Sequence, residues 1–507
     1  MSVDTNVSSK GLSKGSIGLL ASVALGISVI APAYTMTISA GPTVGEVGEQ
    51  MPAIFLLGFI PMLLVAFGYR ELNSDSPDSG TSFTWGTKAF GPFIGFMGGW
   101  GLIAATIIVL SNLAAVAVDF FYLALSQIFD DDSIAGWADK TWLNILTCTV
   151  FVAIAVYISY RGINTTKTVQ YVLVALQLGV LIWFIIACFA KAGGSDSPSD
   201  LSFSMSWFNP FEISSLSALT AGISLSIFVY WGWDTCLTLN EETEGAASTP
   251  GKAATLTITA IVVLYLLLAV AVMVFAGVGD TGIGLANPES NEDIFVSLAS
   301  PVMGPFAVLL SIAVLTSAAA SLQSTFMSPT RTMLAMGHYK ALPTRFANID
   351  ERFKSPAFAT IVAGIAAALF YGMMHAISDK VLTDTILSLG LMICFYYGIT
   401  AFACVWYFRE SLFSSGRNFF LRLFAPLFGG LVLTGVFIKT LIDSADPDYG
   451  SGSSVGGLGT VFILGVGIIL FGVVLMGIMY AIAPAFFKGE TLKRDTPAFT
   501  EEDITTP

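Results

Sequence analysis

The sequence predicts an all-α integral membrane protein with twelve transmembrane helices. Of its 507 residues, 55% are apolar and only 11% are charged, whereas a soluble globular chain has about 25% charged residues. The mean hydropathy is +0.78. Because one crossing needs about 20 predominantly apolar residues, this composition suffices for roughly a dozen spans. It excludes a soluble multidomain enzyme.

Twelve apolar runs, each bounded by glycine, proline or charge, support this count. They fall at residues 16–40, 52–69, 91–128, 142–160, 169–190, 214–240, 253–278, 304–335, 357–376, 384–407, 422–442 and 458–483. We interpret 15–407 as a ten-helix core with halves at 15–190 and 214–407, and 408–483 as two further transmembrane helices. Residues 1–14 are predicted to be a cytoplasmic segment, and 484–507 a cytoplasmic tail that we expect to be disordered.

Lysine and arginine are distributed unevenly between the two sides of these spans. With a cytoplasmic N-terminus, 18 of the 22 Lys and Arg residues fall in inner segments and 4 in outer ones, which is the bias that cytoplasmic loops show. We therefore expect both termini to be cytoplasmic in a plasma-membrane protein. The net charge is −13, and the scattered basic residues form no stripe of the kind that binds nucleic acid.

Neither cysteine nor histidine indicates a metal or catalytic centre. The five cysteines lie in apolar stretches without the C-x-x-C spacing of a zinc or redox site. The two histidines, His338 and His375, are far apart in the chain and away from any cysteine pair. We therefore expect neither enzyme activity nor a cofactor.

Two spans contain residues that interrupt a membrane helix. The first span has Pro32 six residues after Gly26, and the sixth has Gly232 between bulky aromatic residues, followed by Asp234. An unpaired backbone amide in hydrocarbon costs several kcal/mol, so such breaks occur where protein covers them or where they line a wet cavity. Because these spans open two halves of five spans each, we interpret the halves as inverted repeats that share one binding site. An ordinary kinked helix is the alternative for each break.

Breaks of this kind have a chemical use. Unwinding leaves free amide donors and a positive dipole end at one half-helix, which suit a carboxylate, and exposed carbonyls at the other, which suit an ammonium group or a cation. A small zwitterion matches both poles.

Three motifs resemble those of the amino acid-polyamine-organocation permeases. The first comprises Tyr69–Leu72, Pro77–Trp85, Gly91-Pro92 and Gly98–Trp100; the second comprises Trp231–Asp234, Glu241-Glu242 and Pro250–Ala253; the third comprises Ser321–Thr325, Pro329–Arg331, Met336-Gly337 and Ala341–Pro343. Together they cover about residues 15–410 and are typical of the family, although none of them identifies a substrate.

The resemblance implies a leucine-transporter-type core of ten helices in a 5+5 inverted repeat, with two extra helices. It also implies secondary active uptake of an amino acid or related amine by alternating access. A polyamine or amine/amino-acid exchanger is the alternative within transport, and an ion channel is the alternative outside it. The implied substrate-binding residues are Ser28, Val29, Ile30, Ala31, Pro32, Tyr230, Trp231, Gly232 and Trp233. This chain has Ala-Pro where many members have Gly-Ser/Thr-Gly, so the substrate class stays open.

The same resemblance bears on ion coupling. Proton-coupled members place a lysine seven residues after the glutamine that corresponds to Gln170, and this chain has Gln177 there. Thr316 and Ser317 resemble the hydroxyl ligands of the sodium-coupled branch, so we hypothesise that they hold Na⁺ in the space that Gln177 leaves. The alternative is that these hydroxyls bond back to their own helix and that coupling uses protons or exchange.

Acidic residues near the sixth span are open to two interpretations each. Asp234 either binds a substrate ammonium or accepts hydrogen bonds from the unwound backbone. Glu241 and Glu242 are either a solvated helix end or an inner gate. The gate would pair them with Arg70, Arg161 or Arg331.

Overall fold

The computed structural model describes residues 10–194, 197, 199–291, 293–377 and 381–497, and helices dominate it. The helices are α1 (Leu19–Ile30), α2 (Pro32–Val47), α3 (Met51–Asp75), α4 (Ser82–Phe90), α5 (Pro92–Phe129), α6 (Thr141–Tyr160), α7 (Ile163–Lys191), α8 (Leu216–Val229), α9 (Thr235–Thr238), α10 (Thr249–Ala276), α11 (Ile294–Met303), α12 (Ala307–Thr325), α13 (Met327–His338), α14 (Ala357–Ile377), α15 (Val381–Tyr407), α16 (Gly416–Asn418), α17 (Ala425–Asp443), α18 (Thr460–Ile482) and α19 (Pro484–Phe487). A short antiparallel hairpin of β1 (Ser454–Val455) and β2 (Leu458–Gly459) precedes α18.

Within these described residues, 10 helical stretches are long and apolar enough to cross a membrane. One stretch, Leu19–Asp75, combines α1, α2 and α3, and another, Ile294–His338, combines α11, α12 and α13. Helix α8 has only 14 residues and falls below the length of a full crossing. The chain is therefore a multi-pass membrane protein, while twelve crossings and an inverted repeat stay predictions.

Helix α5 lies at the centre of the molecule. It has 38 residues, and 89% of its most apolar window is buried against α4, α12, α15 and other helices. In α18 the buried share is 17%, and side chains such as Leu470 and Phe471 are exposed. An apolar exterior of this kind is stable only in contact with lipid.

Both ends of the described chain pack on the same face, which we call the inner face. Near the N-terminus, Lys10 Nζ donates to Asp78 Oδ2 over 2.8 Å. Near the C-terminus, Lys88 Nζ donates to the carbonyl oxygen of Thr496 over 2.9 Å. Termini on one face are what an even number of crossings requires.

The tail differs from the sequence expectation. Residues 484–487 form α19, the ring of Phe486 packs 5.2 Å from that of Phe83, and Leu492 is buried. The expectation of disorder from residue 484 is therefore wrong for 484–497, because two phenylalanines and a leucine bury enough apolar surface to hold this segment against the helices. Residues 498–507 lie outside the described part of the chain.

Candidate functional site

The first span is interrupted where the sequence predicts. Helix α1 ends at Ile30, Ala31 has left-handed backbone angles (φ 53°, ψ 67°), and α2 begins at Pro32. Proline lacks an amide hydrogen and disfavours helical angles in the residue before it, so Ala-Pro ends one helix and begins the next. Gly26 lies inside α1 and interrupts nothing. A Cβ atom there would lie 2.9 Å from Cys236 Sγ, so Gly26 serves close packing.

The sixth span is interrupted as well. Helix α8 ends at Val229, residues 230–234 form turns, and the short helix α9 follows. Gly232 has a φ of 111°, which side-chain-bearing residues rarely adopt. The span therefore loses its helix over about one turn at the aromatic segment.

The two breaks are in contact. A Cβ atom on Gly232 would lie 2.6 Å from Val29 Cγ1 and 3.4 Å from the backbone nitrogen of Ile30. Of the residues predicted for the site, the structure thus brings Val29, Ile30 and Gly232 together. Only glycine allows the backbone of the sixth span to approach the end of α1 this closely.

Hydroxyl groups cover the carbonyls at the end of α1. Ser321 Oγ of α12 donates to the carbonyl oxygen of Val29 over 2.8 Å, and Thr35 Oγ1 donates to that of Ile30 over 2.5 Å. The roles of Ser321 and Thr35 were not predicted from the sequence. A hydroxyl inside an otherwise apolar span was the signal available for both.

Below the break, Ser28 joins a buried network of neutral polar side chains. Its hydroxyl donates to Gln170 Oε1 and lies 3.1 Å from Ser324 Oγ. Gln170 Nε2 donates to Gln323 Oε1 over 2.6 Å, and Gln323 Nε2 donates to Thr166 Oγ1 over 2.9 Å. The network ties α1 to α7 and α12. Its members outside Ser28 were not predicted from the sequence as site residues.

The aromatic residues of the second break point toward other helices. The ring of Tyr230 lies 5.7 Å from that of Tyr265 on α10, and the ring of Trp233 lies 5.0 Å from that of Tyr69 on α3. Trp231 Nε1 donates to the Tyr396 hydroxyl on α15 over 2.6 Å. These three side chains therefore brace the break against its neighbours, while Gly232 presents bare backbone to α1.

Asp234 is buried, with both carboxylate oxygens in use. Tyr397 donates to Oδ1 over 2.9 Å, and Tyr396 donates to Oδ2 over 3.1 Å. The hydrogen bonds come from tyrosine hydroxyls of α15, where the sequence led us to expect either a substrate ammonium or the unwound backbone, and the carboxylate connects the sixth span to α15.

The residues of the sodium hypothesis have distinct surroundings. Ser317 Oγ accepts the amide hydrogen of Tyr34, which follows the break, over 3.3 Å. Thr316 Oγ1 donates to the carbonyl oxygen of Ile312 over 2.8 Å. Gln177 is fully buried, and within the described residues neither of its amide atoms has a hydrogen-bond partner. Both hydroxyl oxygens keep a lone pair, so this donor set is of a type that suits Na⁺.

A cavity of about 1090 Å³, the outer cavity, opens on the face opposite the termini. Its lining includes Ile38 of α2 and Leu225 of α8, and among the described residues it includes Glu46, Asp446 and Asp448 but no lysine or arginine. Ile38 follows Ala31 by seven residues, about 10 Å along the helix, so this part of the lining lies on the outer side of the first break.

The inner face is closed by ion pairs. Lys10 Nζ lies 2.8 Å from Asp78 Oδ2 and 2.5 Å from Glu241 Oε1, and these three side chains are at most 8% exposed. Arg331 binds both carboxylate oxygens of Glu242, over 2.9 and 3.1 Å. Among the pairings considered for Glu242, the structure selects Arg331. Lys10 was not predicted as the partner of Glu241, because pairing across 231 positions has no local signal.

Burial alone would raise the pKa of Asp78, but its ion pair and hydrogen bond with Lys10 outweigh this effect. The hydroxyl of Thr84 and the amide of Gly80 also donate to the carboxylate, and its pKa falls to about 2. The carboxylate therefore stays ionised, and the pair stays intact, at any physiological pH.

Two adjoining helix breaks in a membrane-embedded bundle, with a cavity at one face and buried ion pairs at the other, are the arrangement of membrane carriers for small solutes. Residues 17–438 match the family model described as amino acid permease. The chain therefore belongs to this family, within the amino acid-polyamine-organocation superfamily.

Curated relatives are similar over most of their length. The low-affinity putrescine importer PlaP of Escherichia coli (strain K12) is 22% identical over 423 residues, 82% of this chain and 86% of the relative. The branched-chain amino acid permease BcaP of Bacillus subtilis (strain 168) is 23% identical over 368 residues, 70% of this chain and 72% of the relative. The crystal structure of MhsT in complex with L-phenylalanine has the same fold, with a TM-score of 0.57 and 15% identity over 82% of this chain and 98% of that one.

Proposed function

We propose that this protein is a secondary active transporter that imports an amino acid or closely related amine by alternating access. The contact between the two breaks carries this proposal, because the backbone of Gly232 adjoins the ends of Val29 and Ile30. Half-helix ends at one place offer donors to a carboxylate and acceptors to an ammonium group. Relatives named for putrescine and for branched-chain amino acids support a substrate with an amino group.

The proposed topology has twelve crossings. Spans 1 and 6 are then the pairs α1 with α2 and α8 with α9, and the ten-helix core is two inverted halves of five. Both termini are placed in the cytoplasm of a plasma-membrane protein, as the lysine and arginine distribution predicts. The outer cavity is then the entry route from outside, and the ion pairs of the inner face close the exit.

For coupling we propose Na⁺, with Thr316 and Ser317 supplying hydroxyl oxygens beside the first break. The buried amide of Gln177, where proton-coupled members have lysine, supports this choice because no built-in cation occupies the position. A bound Na⁺ would place a positive charge near the C-terminal end of α1. The helix dipole is negative at that end, so the interaction is favourable. Proton coupling is the alternative.

Uptake by proteoliposomes tests this proposal directly. A panel of labelled amino acids and amines is offered with a sodium gradient, with a proton gradient in sodium-free buffer, and with neither. We expect saturable uptake of an amino acid or amine that requires the sodium gradient, and loss of sodium dependence in Thr316→Ala. Equal uptake driven by a pH gradient without sodium would refute the sodium assignment but not the transport function. Absence of saturable uptake across the panel would refute both.

An amine exchanger is the second candidate. The acidic lining of the outer cavity favours it, since its described lining residues include carboxylates but no lysine or arginine, and such a lining concentrates cations. Preloading the proteoliposomes with unlabelled amine separates the two candidates. Stimulation by internal substrate with no response to an ion gradient supports the exchanger.

A further inference from the structure

A second cavity, of about 350 Å³, lies at the inner face where α4, the start of α5, the end of α15 and the tail meet. Among the described residues that line it, four are cationic and none is acidic. We call it the basic pocket, and its cations are Lys88, Arg409, Lys493 and Arg494. It lies outside the transport route, because the breaks and the outer cavity are formed by other residues.

The cations of the basic pocket are poorly neutralised. Lys88 is 5% exposed, and its ammonium donates to two neutral acceptors, Ser76 Oγ at 2.7 Å and the carbonyl of Thr496 at 2.9 Å. Arg409 and Arg494 share a single carboxylate, that of Glu410, at 3.5 and 3.3 Å. Glu410 is itself 76% exposed, so solvent weakens both pairs.

Acidic groups lie close by but outside the pocket. Asp75 and Asp495 line a neighbouring cavity, and Asp75 accepts a hydrogen bond from the Tyr407 hydroxyl over 2.7 Å. Lys493 is exposed, and the described residues give its ammonium no side-chain partner. The pocket therefore presents an excess of positive charge.

A long helix begins at the same place. Gly91 and Pro92 line the pocket, and Pro92 is the first residue of the 38-residue helix α5. The amide groups and the positive dipole end of a helix N-terminus favour an anion. Gly91 has a φ of 93° and leaves open space where a side chain would stand.

The basic pocket also has the surroundings of a membrane interface. The transmembrane helix α5 begins beside it, and the transmembrane helix α15 ends beside it. Trp406 lines it and is 52% exposed. The centroid of its ring lies 5.1 Å from the guanidinium carbon of Arg409. Phe93 and Ile94, at the start of α5, are 47% and 43% exposed. Tryptophan at helix ends is typical of headgroup depth, and the exposed apolar residues offer a surface for acyl chains.

We propose that the basic pocket binds the phosphate of an anionic membrane lipid in the leaflet on the inner face. Two guanidinium groups supply the paired donors that phosphate oxygens accept, and lysine supplies further charge. Basic pockets between transmembrane helices on this side of a membrane recognise lipid headgroups in the same way. A bound headgroup would connect the tail, through Lys493 and Arg494, to Lys88 and to α15.

Native mass spectrometry of the purified full-length protein tests the assignment. Phosphatidylglycerol, phosphatidylcholine and inorganic phosphate are titrated separately, and retained molecules are counted. We expect one phosphatidylglycerol to be retained in preference to phosphatidylcholine. The affinity for phosphatidylglycerol should fall about fivefold for each cation removed. Lys493→Gln removes one cation, and the double variant Arg409→Gln/Lys493→Gln removes two. Lys252→Gln, which changes an exposed lysine at the inner end of α10, is the matched control and should behave like the wild type.

Three results would overturn the proposal. The first is equal retention of phosphatidylglycerol and phosphatidylcholine. The second is equal retention of phosphatidylglycerol by Arg409→Gln/Lys493→Gln and by Lys252→Gln. The third is binding of inorganic phosphate as tight as that of phosphatidylglycerol. The last would assign the pocket to a soluble anion. Thermal unfolding without added lipid identifies any variant that is misfolded, and Lys493→Gln alone, at an exposed position, then decides the outcome.

Discussion

At the scale of single residues, two backbone conformations define the candidate site. Ala31 (φ 53°) and Gly232 (φ 111°) both lie in the left-handed region, one in each break. For alanine this costs of order 1 kcal/mol or more, and the following proline disfavours the right-handed helical angles that would avoid the cost. For glycine the cost is small. One break thus depends on a proline that disfavours helix in the residue before it, and the other on a glycine that adopts a positive φ at little cost.

Gly232→Ala should therefore abolish uptake. The added Cβ would meet Val29 Cγ1 at 2.6 Å, and the backbone angles would be strained, so we expect a loss of about 1 to 3 kcal/mol of stability together with displaced half-helices. Thermal unfolding and proteoliposome uptake measure the two effects. Gly179→Ala in α7, where nothing lies within 4 Å of the added atom, is the control. Normal transport by Gly232→Ala would show that the close contact is dispensable.

The buried ion pair of Lys10 and Asp78 determines how the stability of the inner face depends on pH. The depressed pKa of Asp78 means that its ionised form stabilises the fold above pH 4 and that this stabilisation is lost as the pH falls through 2. The pKa of Lys10 is raised because its two carboxylate partners outweigh burial, so its contribution is complete below 10.5 and is lost above that pH. The wild type should show no change in stability from this cluster between pH 5 and 9.

Lys10→Met should lower stability by about 3 to 5 kcal/mol at pH 7, since it leaves two buried carboxylates without their cation. Burial then raises the pKa of Asp78, and the variant should regain stability as the pH is lowered from 8 to 5. Thermal unfolding across this range measures the effect, with Lys252→Met at an exposed site as the control. A variant as stable as the wild type and insensitive to pH would contradict the ion-pair assignment.

At the scale of elements, the inner halves of the two broken spans form one unit. The amide of Ile17 donates to the carbonyl of Glu242 over 3.0 Å, and the amide of Glu244 donates to that of Ile17 over 2.9 Å. Cys236 of α9 donates to the carbonyl of Ser22 over 3.3 Å, beside Gly26 of α1. Arg331 of α13 then holds this unit through Glu242.

Arg331→Met should release the unit from α13 and open the inner face. We expect a thiol reagent to label Cys236, which is buried, about tenfold faster, as a shift of about 1.4 kcal/mol in the closed population would give. The experiment uses a variant in which the other four cysteines are alanine. Arg345→Met, at an exposed position on the inner face, is the control. If the Arg331 and Arg345 variants are labelled equally, the ion pair does not close the face.

At the scale of the whole molecule, the two ends of the described chain and the ion pairs of Lys10 and Arg331 lie on one face, and the outer cavity lies on the other. The interior around α5 is apolar, and its polar groups include the neutral network of Gln170 and Gln323, the ion pair of Arg331 and Glu242, and the Asp234 carboxylate with its two tyrosines. The alternating access proposed above would therefore act on the outer cavity at one face and on these ion pairs at the other.

Protease-cleavable tags test the orientation. With intact cells, external protease should cleave a tag at neither terminus, and permeabilised cells should lose both. A cysteine introduced by Asp131→Cys, at an exposed site in the predicted outer loop, should react with an impermeant reagent on intact cells and serves as the control for access. Cleavage of either tag on intact cells would contradict the predicted cytoplasmic placement.

The sequence by itself determined the membrane class, the family and the positions of both breaks, because hydropathy and the conformational limits of Ala-Pro and glycine act locally along the chain. Only the tertiary structure decided which groups meet: Gly232 with Val29, Ser321 with the Val29 carbonyl, Lys10 with Glu241, and Asp234 with two tyrosines. These partners are distant in the chain, and nothing in the local pattern of an apolar helix specifies which neighbour a polar side chain will reach. The docked tail has the same explanation, since Phe486 and Leu492 are held by surfaces that exist only once the helices have packed.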